Sequence, residues 1–188
     1  MLLASENLLL SEFKLAEWRE LLRYQNDERY LRYLPFDRRS EADVHTLLKT
    51  YMDWANEQPR RRFQLAVTLK KDGTLVGSCG VRKELLTDRK AELVIEIAPD
   101  FSGRGFGTEA TRTMLGFAFG ELRLHRVFAT CVVSNHPAAR VLEKVGMKLE
   151  GRLRHNEWIK GQWHDSLIYG ILEMDFPDRL RQGGSIWA

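Results

Sequence analysis

The chain has 188 residues, 44% hydrophobic and 29% charged, the size and make-up of one globular domain rather than of a fibrous or disordered chain. A net charge of +3 and an isoelectric point near 8.9 suit a small anionic partner but fall short of a nucleic-acid footprint, and no apolar run approaches the ~18 residues of a membrane span. The opening Met1-Leu2-Leu3-Ala4-Ser5-Glu6 carries no basic leader segment, so a cytoplasmic protein binding neither nucleic acid nor membrane is expected.

Asn7 to Ser11 reads as a short first strand, and Lys14 to about Gln25 as a helix with Leu15, Trp18, Leu21 and Leu22 on one face. Ser40 has the side chain of an N-cap, and the run behind it predicts a second helix to about Asn56. The basic clusters Arg38-Arg39 and Arg60-Arg61-Arg62 read as solvated loop residues. Phe63, Leu65, Val67 and Leu69 alternate with polar or small residues, Lys71-Asp72-Gly73 supplies a turn, and Leu75 to Val81 returns, which predicts an antiparallel hairpin. Ala91 to Ala98 is the next strand.

Ala110, Met114, Phe117 and Ala118 then fall at core spacing on a helix reaching about Leu122, followed by a strand from Val127 to Val133. This strand-helix-strand unit predicts two parallel strands. Pro137 opens another helix that stops at Gly146, and two final strands flank Lys160-Gly161. One domain over 1–180 is expected, with Arg181 to Ala188 as a flexible tail. Cys79 and Cys131 lie in strand-like runs without CxxC spacing or histidine neighbours, so they read as reduced apolar thiols and no metal is expected.

Between the strand ending at Ala98 and the following helix lies Phe101-Ser102-Gly103-Arg104-Gly105-Phe106-Gly107-Thr108-Glu109-Ala110. Its alternating glycines let the backbone turn tightly and approach a ligand, and the helix behind them offers unpaired N–H groups and the positive end of its dipole. An anion of pyrophosphate type is expected over residues 103 to 108. A dinucleotide fingerprint would require glycine at Thr108, and a P-loop would require Gly-Lys-Ser/Thr; neither is present. Taken alone, the loop also reads as a strand-to-helix connection with no ligand.

In order and in residues the chain resembles the GNAT superfamily of acetyl-CoA-dependent N-acetyltransferases, and within it the branch of ribosomal-protein N-terminal alanine acetyltransferases. The family loop Q/R-x-x-G-x-G/A is matched by Ser102 to Gly107, and the branch's Thr-Glu-Ala by Thr108-Glu109-Ala110. Leu124-His125-Arg126-Val127, Asn135, Leu142-Glu143-Lys144-Val145-Gly146, Leu149-Glu150-Gly151 and Trp163-His164-Asp165 follow in that branch's order, so the likeness covers residues 7 to 172. It implies a single α/β domain with a mixed, strongly twisted central sheet flanked by helices, using acetyl-CoA as co-substrate.

Carried over residue by residue, the resemblance implies that the backbone N–H groups of Gly103, Arg104, Gly105, Phe106, Gly107 and Thr108 hold the pyrophosphate. It further implies that the pantetheine arm pairs with the strand at Ile95, Glu96 and Ile97 like an added β-strand, with the Asn135 side chain further along. Asn135 also reads as a helix cap ahead of Pro137. Arg104 and Arg140 read either as partners of the CoA phosphates or as solvated helix arginines. The family's general-acid tyrosine falls on Leu142, the branch's alternative serine on Ala138, and the glutamate some N-terminal acetyltransferases use as base on Thr130.

Acetyl transfer needs a neutral amine. An α-amino group of pKa near 7.7–8.0 pays about 1 kcal/mol to be neutral at pH 7, against about 4.6 kcal/mol for a lysine near 10.4. A site poor in bases therefore favours a protein N-terminal α-amine, with an aminoglycoside or polyamine as the alternative acceptor and a non-catalytic acyl-CoA-binding module as the alternative to an enzyme. A thiol of pKa about 8.5 can leave with water as proton donor, so the loss at Leu142 is tolerable. Alternation puts Glu92 and Glu96 on one face of the cofactor strand, about 13 Å apart. Glu96 leads as base, since it is nearer the cofactor segment; as a purely structural charge it would meet solvent or an arginine. His155 and His164, on the last two strands, have the pKa range for a proton relay. Trp158 and Trp163 read either as walls of an acceptor pocket or as hairpin-closing aromatics.

Overall fold

The computed structural model describes residues 1–181, and the predicted elements appear within two or so residues of their expected bounds, except that the first helix begins at Trp18 rather than Lys14. In chain order they are β1 (Leu2–Ala4), β2 (Leu8–Glu12), α1 (Trp18–Gln25), α2 (Glu28–Leu31), α3 (Glu41–Asn56), β3 (Arg62–Leu69), β4 (Leu75–Arg82), β5 (Lys90–Ile97), α4 (Phe106–Gly120), β6 (Arg126–Val132), α5 (His136–Lys144), β7 (Lys148–Ile159), β8 (Gln162–Leu172) and α6 (Asp178–Arg181). The expected tail lies, from residue 182 onward, outside the described residues.

Three elements, β1, α2 and α6, are additions to the sequence reading. β1 and α2 span three and four residues, too short for a hydrophobic period to register, and β1 exists because Leu2, Leu3 and Ala4 pair with Ser11, Leu10 and Leu9. The buried face of α1 also differs from expectation. Leu15 sits in a one-turn 3-10 segment, Leu15–Glu17, and is 48% exposed, while Leu21, Tyr24 and Gln25 are buried. Leu21, with Tyr24 and Gln25 three and four residues on, forms the face of α1 laid against the sheet, and Leu15 lies off that face. Ser40 caps α3 as expected: its Oγ accepts from the Asp43 N–H at 3.2 Å, and Asp43 accepts back from the Ser40 N–H at 2.8 Å.

The eight strands form one mixed sheet in the order β1-β2-β3-β4-β5-β6-β8-β7, antiparallel throughout except between β5 and β6. One face packs on α4 and α5 through Leu65, Leu93, Met114, Ala118, Val127 and Leu142. The other packs on α1 and α3 through Leu21, Val44, Leu48, Tyr51 and Ala66. The arginine cluster at 60–62 is only partly solvated and is ion-paired: Arg60 makes a two-pronged contact with Glu12 at 2.7 and 3.1 Å, and Arg61 and Arg62 share Glu57. Opposed carboxylates on β2 and at the end of α3 draw these guanidinium groups onto the sheet edge.

The feature that makes room for a site lies between β5 and β6. Their parallel pairing runs through Lys90–Arg126, Ala91–Val127 and Glu92–Phe128 and stops there. From Leu93 to Ile97, β5 keeps β4 on one side and no strand on the other. Backbone groups along that edge are left for another extended chain.

Candidate active site

The glycine loop enters α4 through Gly105, the N-cap, at φ +88°, with Gly103 at φ +77°. Both lie in the left-handed region open to glycine, and a Cβ at either position would meet nothing within 4 Å. The first hydrogen bond of the helix runs from the Glu109 N–H to the Gly105 carbonyl at 3.0 Å, so the N–H groups of Phe106, Gly107 and Thr108 remain for an outside acceptor. Gly107 serves packing instead, since a Cβ there would stand 3.3 Å from Val141 and 3.4 Å from Ile97. Arg104 is exposed, its guanidinium 5.5 Å from the centre of the Phe101 ring, and Arg140 is exposed on α5.

Glu109, in the first turn of α4, would repel an anion if it turned toward the cradle. Its carboxylate is drawn sideways: it accepts from the Ser5 hydroxyl and the Asn7 backbone N–H, each at 2.7 Å, and from Asn7 Nδ2 at 3.1 Å. Partial burial pushes its pKa up, but these bonds outweigh it and hold the acid below its usual range.

Ile95, Glu96 and Ile97 occupy the open stretch of β5, half-buried. Gly77 lets β4 close tightly behind them, because a Cβ there would lie 2.0 Å from the Glu96 carbonyl oxygen. Asn135 caps α5: its Oδ1 accepts from the Ala138 N–H at 3.2 Å. The cap uses only the oxygen, and Nδ2 has no hydrogen-bond partner among the described residues. Leu142 is buried in the core, and Thr130 is exposed on β6.

Of the acid/base candidates, Glu96 is the one tied into a network. Its Oε2 accepts from the Tyr24 hydroxyl at 3.1 Å and from Gln25 Nε2 at 3.2 Å, and Tyr30 and Tyr51 stand close enough to feel its charge. Among the described residues no arginine pairs with this carboxylate; its donors are phenols and an amide. Burial, and then the Glu96 charge, push the Tyr24 phenol well above its ordinary pKa and raise those of Tyr30 and Tyr51. These hydroxyls stay protonated. The nearby Arg82 donates to Gln64 Oε1 at 2.8 Å, and Gln64 donates to the Ser78 hydroxyl at 2.9 Å, extending the polar layer between the sheet and α3.

Glu92 lies where β5 still pairs with β6, opposite Phe128. His164 lies on β8 beyond the last β6 pair, Val132–Ser166, in register with Glu157. No hydrogen bond joins either to Glu96. His155 is exposed at φ +48° in an irregular stretch of β7, its backbone N–H held by Asp165 Oδ1 at 2.9 Å. Trp158 and Trp163 stack edge to face at 5.3 Å across the β7–β8 hairpin and are both more than half exposed, so they close the hairpin on each other. Lys160 at its turn reaches Asp37 and donates to the Phe36 carbonyl at 2.9 Å, pinning the segment between α2 and α3. An open depression of about 290 Å³ lies there, lined by Glu28, Leu31, Arg32, Asp37, Arg38 and Lys160.

Sequence reasoning missed Tyr24, Gln25, Tyr30 and Tyr51. A signal for the first two existed in their spacing from Leu21, three and four residues on, which marks one helix face. Tyr30 sits in an element too short for such a signal.

The chain is similar to known proteins. Residues 7–148 match the family model described as an acetyltransferase (GNAT) domain. The Bacillus subtilis (strain 168) protein YdaF, whose name carries a provisional assignment as a ribosomal N-acetyltransferase, is 32% identical over 174 residues, covering 89% of this chain and 91% of its own. Spermidine N(1)-acetyltransferase of Escherichia coli (strain K12) is 29% identical over 162 residues, 84% of each chain. The crystal structure of a GNAT-family acetyltransferase from Bacillus anthracis superposes with a TM-score of 0.81 at 28% identity, covering 93% of this chain and 99% of the other. With the family model spanning most of its length, the chain belongs to the GNAT family and is an acetyl-CoA-dependent N-acetyltransferase.

Proposed function

We propose that the enzyme acetylates a protein N-terminal α-amine, with Glu96 as the group that takes the amine's proton, directly or through one water. The observation that carries this reading is the position of Glu96: it shares the unpaired stretch of β5 with Ile95 and Ile97, while its carboxylate is held on the face toward α1. The cofactor arm and the base then meet across one strand. In this reading the N–H groups from Gly103 to Thr108 hold the pyrophosphate, the free edge at Ile95 to Ile97 pairs with the pantetheine amides, and Asn135 Nδ2 donates to the same arm. Arg104 and Arg140, both exposed near the cradle, supply positive charge for the phosphates.

A single carboxylate and no family tyrosine favour an amine that is already partly neutral at pH 7, and an α-amine costs several kcal/mol less to deprotonate than a lysine, by about 3.6 kcal/mol. The binding site fixes amine and thioester within reach, which by itself supplies much of the rate. The deciding experiment is an acceptor screen read by release of free CoA: peptides differing in their N-terminal residue, then spermidine, then an aminoglycoside. Turnover is expected with peptides. Turnover confined to spermidine or the aminoglycoside overturns the peptide reading in favour of a small-amine acceptor, the activity that the spermidine acetyltransferase relative carries in its name.

A further inference from the structure

The Glu96 carboxylate is gripped from α1. Tyr24 and Gln25 are consecutive, only 4% and 1% exposed, and both donate to Oε2 rather than dividing themselves between the two oxygens. Tyr30 is hydrogen-bonded to the same carboxylate, and because a carboxylate offers about four lone-pair sites, these three neutral donors leave it capacity to accept a proton. Glu96 itself is half-buried.

We propose that Tyr24 and Gln25 are positioning residues that hold Glu96 through Oε2 and fix its carboxylate for the acceptor amine. The inference rests on the reading of Glu96 as base. Three features support it. The grip is made of neutral donors: Glu96 has no ion pair among the described residues, and Arg82, the guanidinium in the same polar layer, is engaged by Gln64 instead. Neutral donors orient a carboxylate without pairing away the charge it needs to accept a proton. The Tyr24 phenol, pushed well up by burial, remains a donor at every pH at which the enzyme would work. Finally, Gln25 Oε1 is buried without a partner, a cost that an aliphatic side chain in the same place would avoid. A glutamine kept there at the expense of stability fits a need for its N–H at Glu96.

A double-mutant cycle on the full chain tests this, using acetyl-CoA with an alanine-terminated peptide or spermidine, whichever turns over faster. Tyr24→Phe removes one donor and keeps the ring, and Gln25→Met keeps the volume. Each is expected to lower kcat roughly ten-fold, the usual weight of a hydrogen bond to a charged group, with the dissociation constant of acetyl-CoA unchanged. In a Glu96→Gln background, which is itself slow, neither should cost anything further, because the grip acts only through the carboxylate. A purely structural role predicts the same loss in both backgrounds, and that additive result overturns the proposal, as does wild-type kcat in both single variants. If Tyr24→Phe does not fold, Gln25→Met completes the cycle alone. Wild-type kcat in Glu96→Gln is a separate outcome: it removes the base reading and the grip with it, whereas a slow Glu96→Gln with fast Tyr24→Phe and Gln25→Met removes only the grip.

Discussion

Glu109 accepts a hydrogen bond from the backbone N–H of Asn7 at 2.7 Å, across 102 residues of sequence. The contact ties the first turn of α4 to the β1–β2 turn and commits the Glu109 carboxylate to Ser5 and Asn7.

Because these bonds depress the Glu109 pKa, they bind the ionised form in the folded state more strongly than the unfolded chain does. The stabilisation is therefore complete above the unfolded value of about 4.3 and is lost as pH falls through the lower folded value. Glu109→Gln should cost about 1 kcal/mol at pH 7, less than a fully buried charged bond because the group is largely solvated. Urea unfolding of both proteins at pH 7 and pH 3 checks this, with the gap expected to shrink at the lower pH.

Gly105→Val places a β-branched side chain at φ +88°, in space where it meets no protein atom. The backbone penalty is about 1–2 kcal/mol, which a folded domain survives. The side chain points into the cradle, so acetyl-CoA affinity should fall at least ten-fold by calorimetry. A folded variant with unchanged affinity would remove the pyrophosphate from this loop.

Acetyl-CoA at about 100 times its dissociation constant should stabilise the fold by about 2.7 kcal/mol and raise Tm accordingly. ATP and NAD at the same concentration should not, since the loop has neither nucleotide fingerprint. Thermal unfolding in the three ligands makes the comparison.

Among the three acid/base candidates an order is expected. Glu96→Gln should lower kcat roughly 10²-fold, the low end of what general-base catalysis contributes. Glu92→Gln and His164→Gln should stay within a few-fold, because neither side chain is hydrogen-bonded to the network around Glu96. Steady-state kinetics of the three variants with one acceptor ranks them; a His164→Gln slower than Glu96→Gln would move the proton's destination to β8.

Most of the secondary structure was legible because strand alternation, the Ser40 cap and the Gly146 stop are local signals, and the structure realises each of them. The glycine loop was legible for the same reason: positive φ at residues 103 and 105 is a demand on residue type at a given place in the chain. Arg60 to Arg62 were misread as solvated because their partners, Glu12 and Glu57, are defined by which strand lies beside which helix end. Asn135 was legible as a cap, and its free Nδ2 was not, since that depends on what fails to approach it.

By itself, the sequence determined the family resemblance, the glycine loop and the strand ahead of it, all of which rest on contiguous residues whose spacing carries their geometry. Only the tertiary structure decided that β5 parts from β6 after Glu92 and that Glu96 is met by Tyr24, Gln25 and Tyr30. The physical reason is range. Backbone conformation and amphipathic period act over a few residues, whereas the surroundings of a carboxylate on a central strand are set by the phase of a helix some 71 residues earlier in the chain.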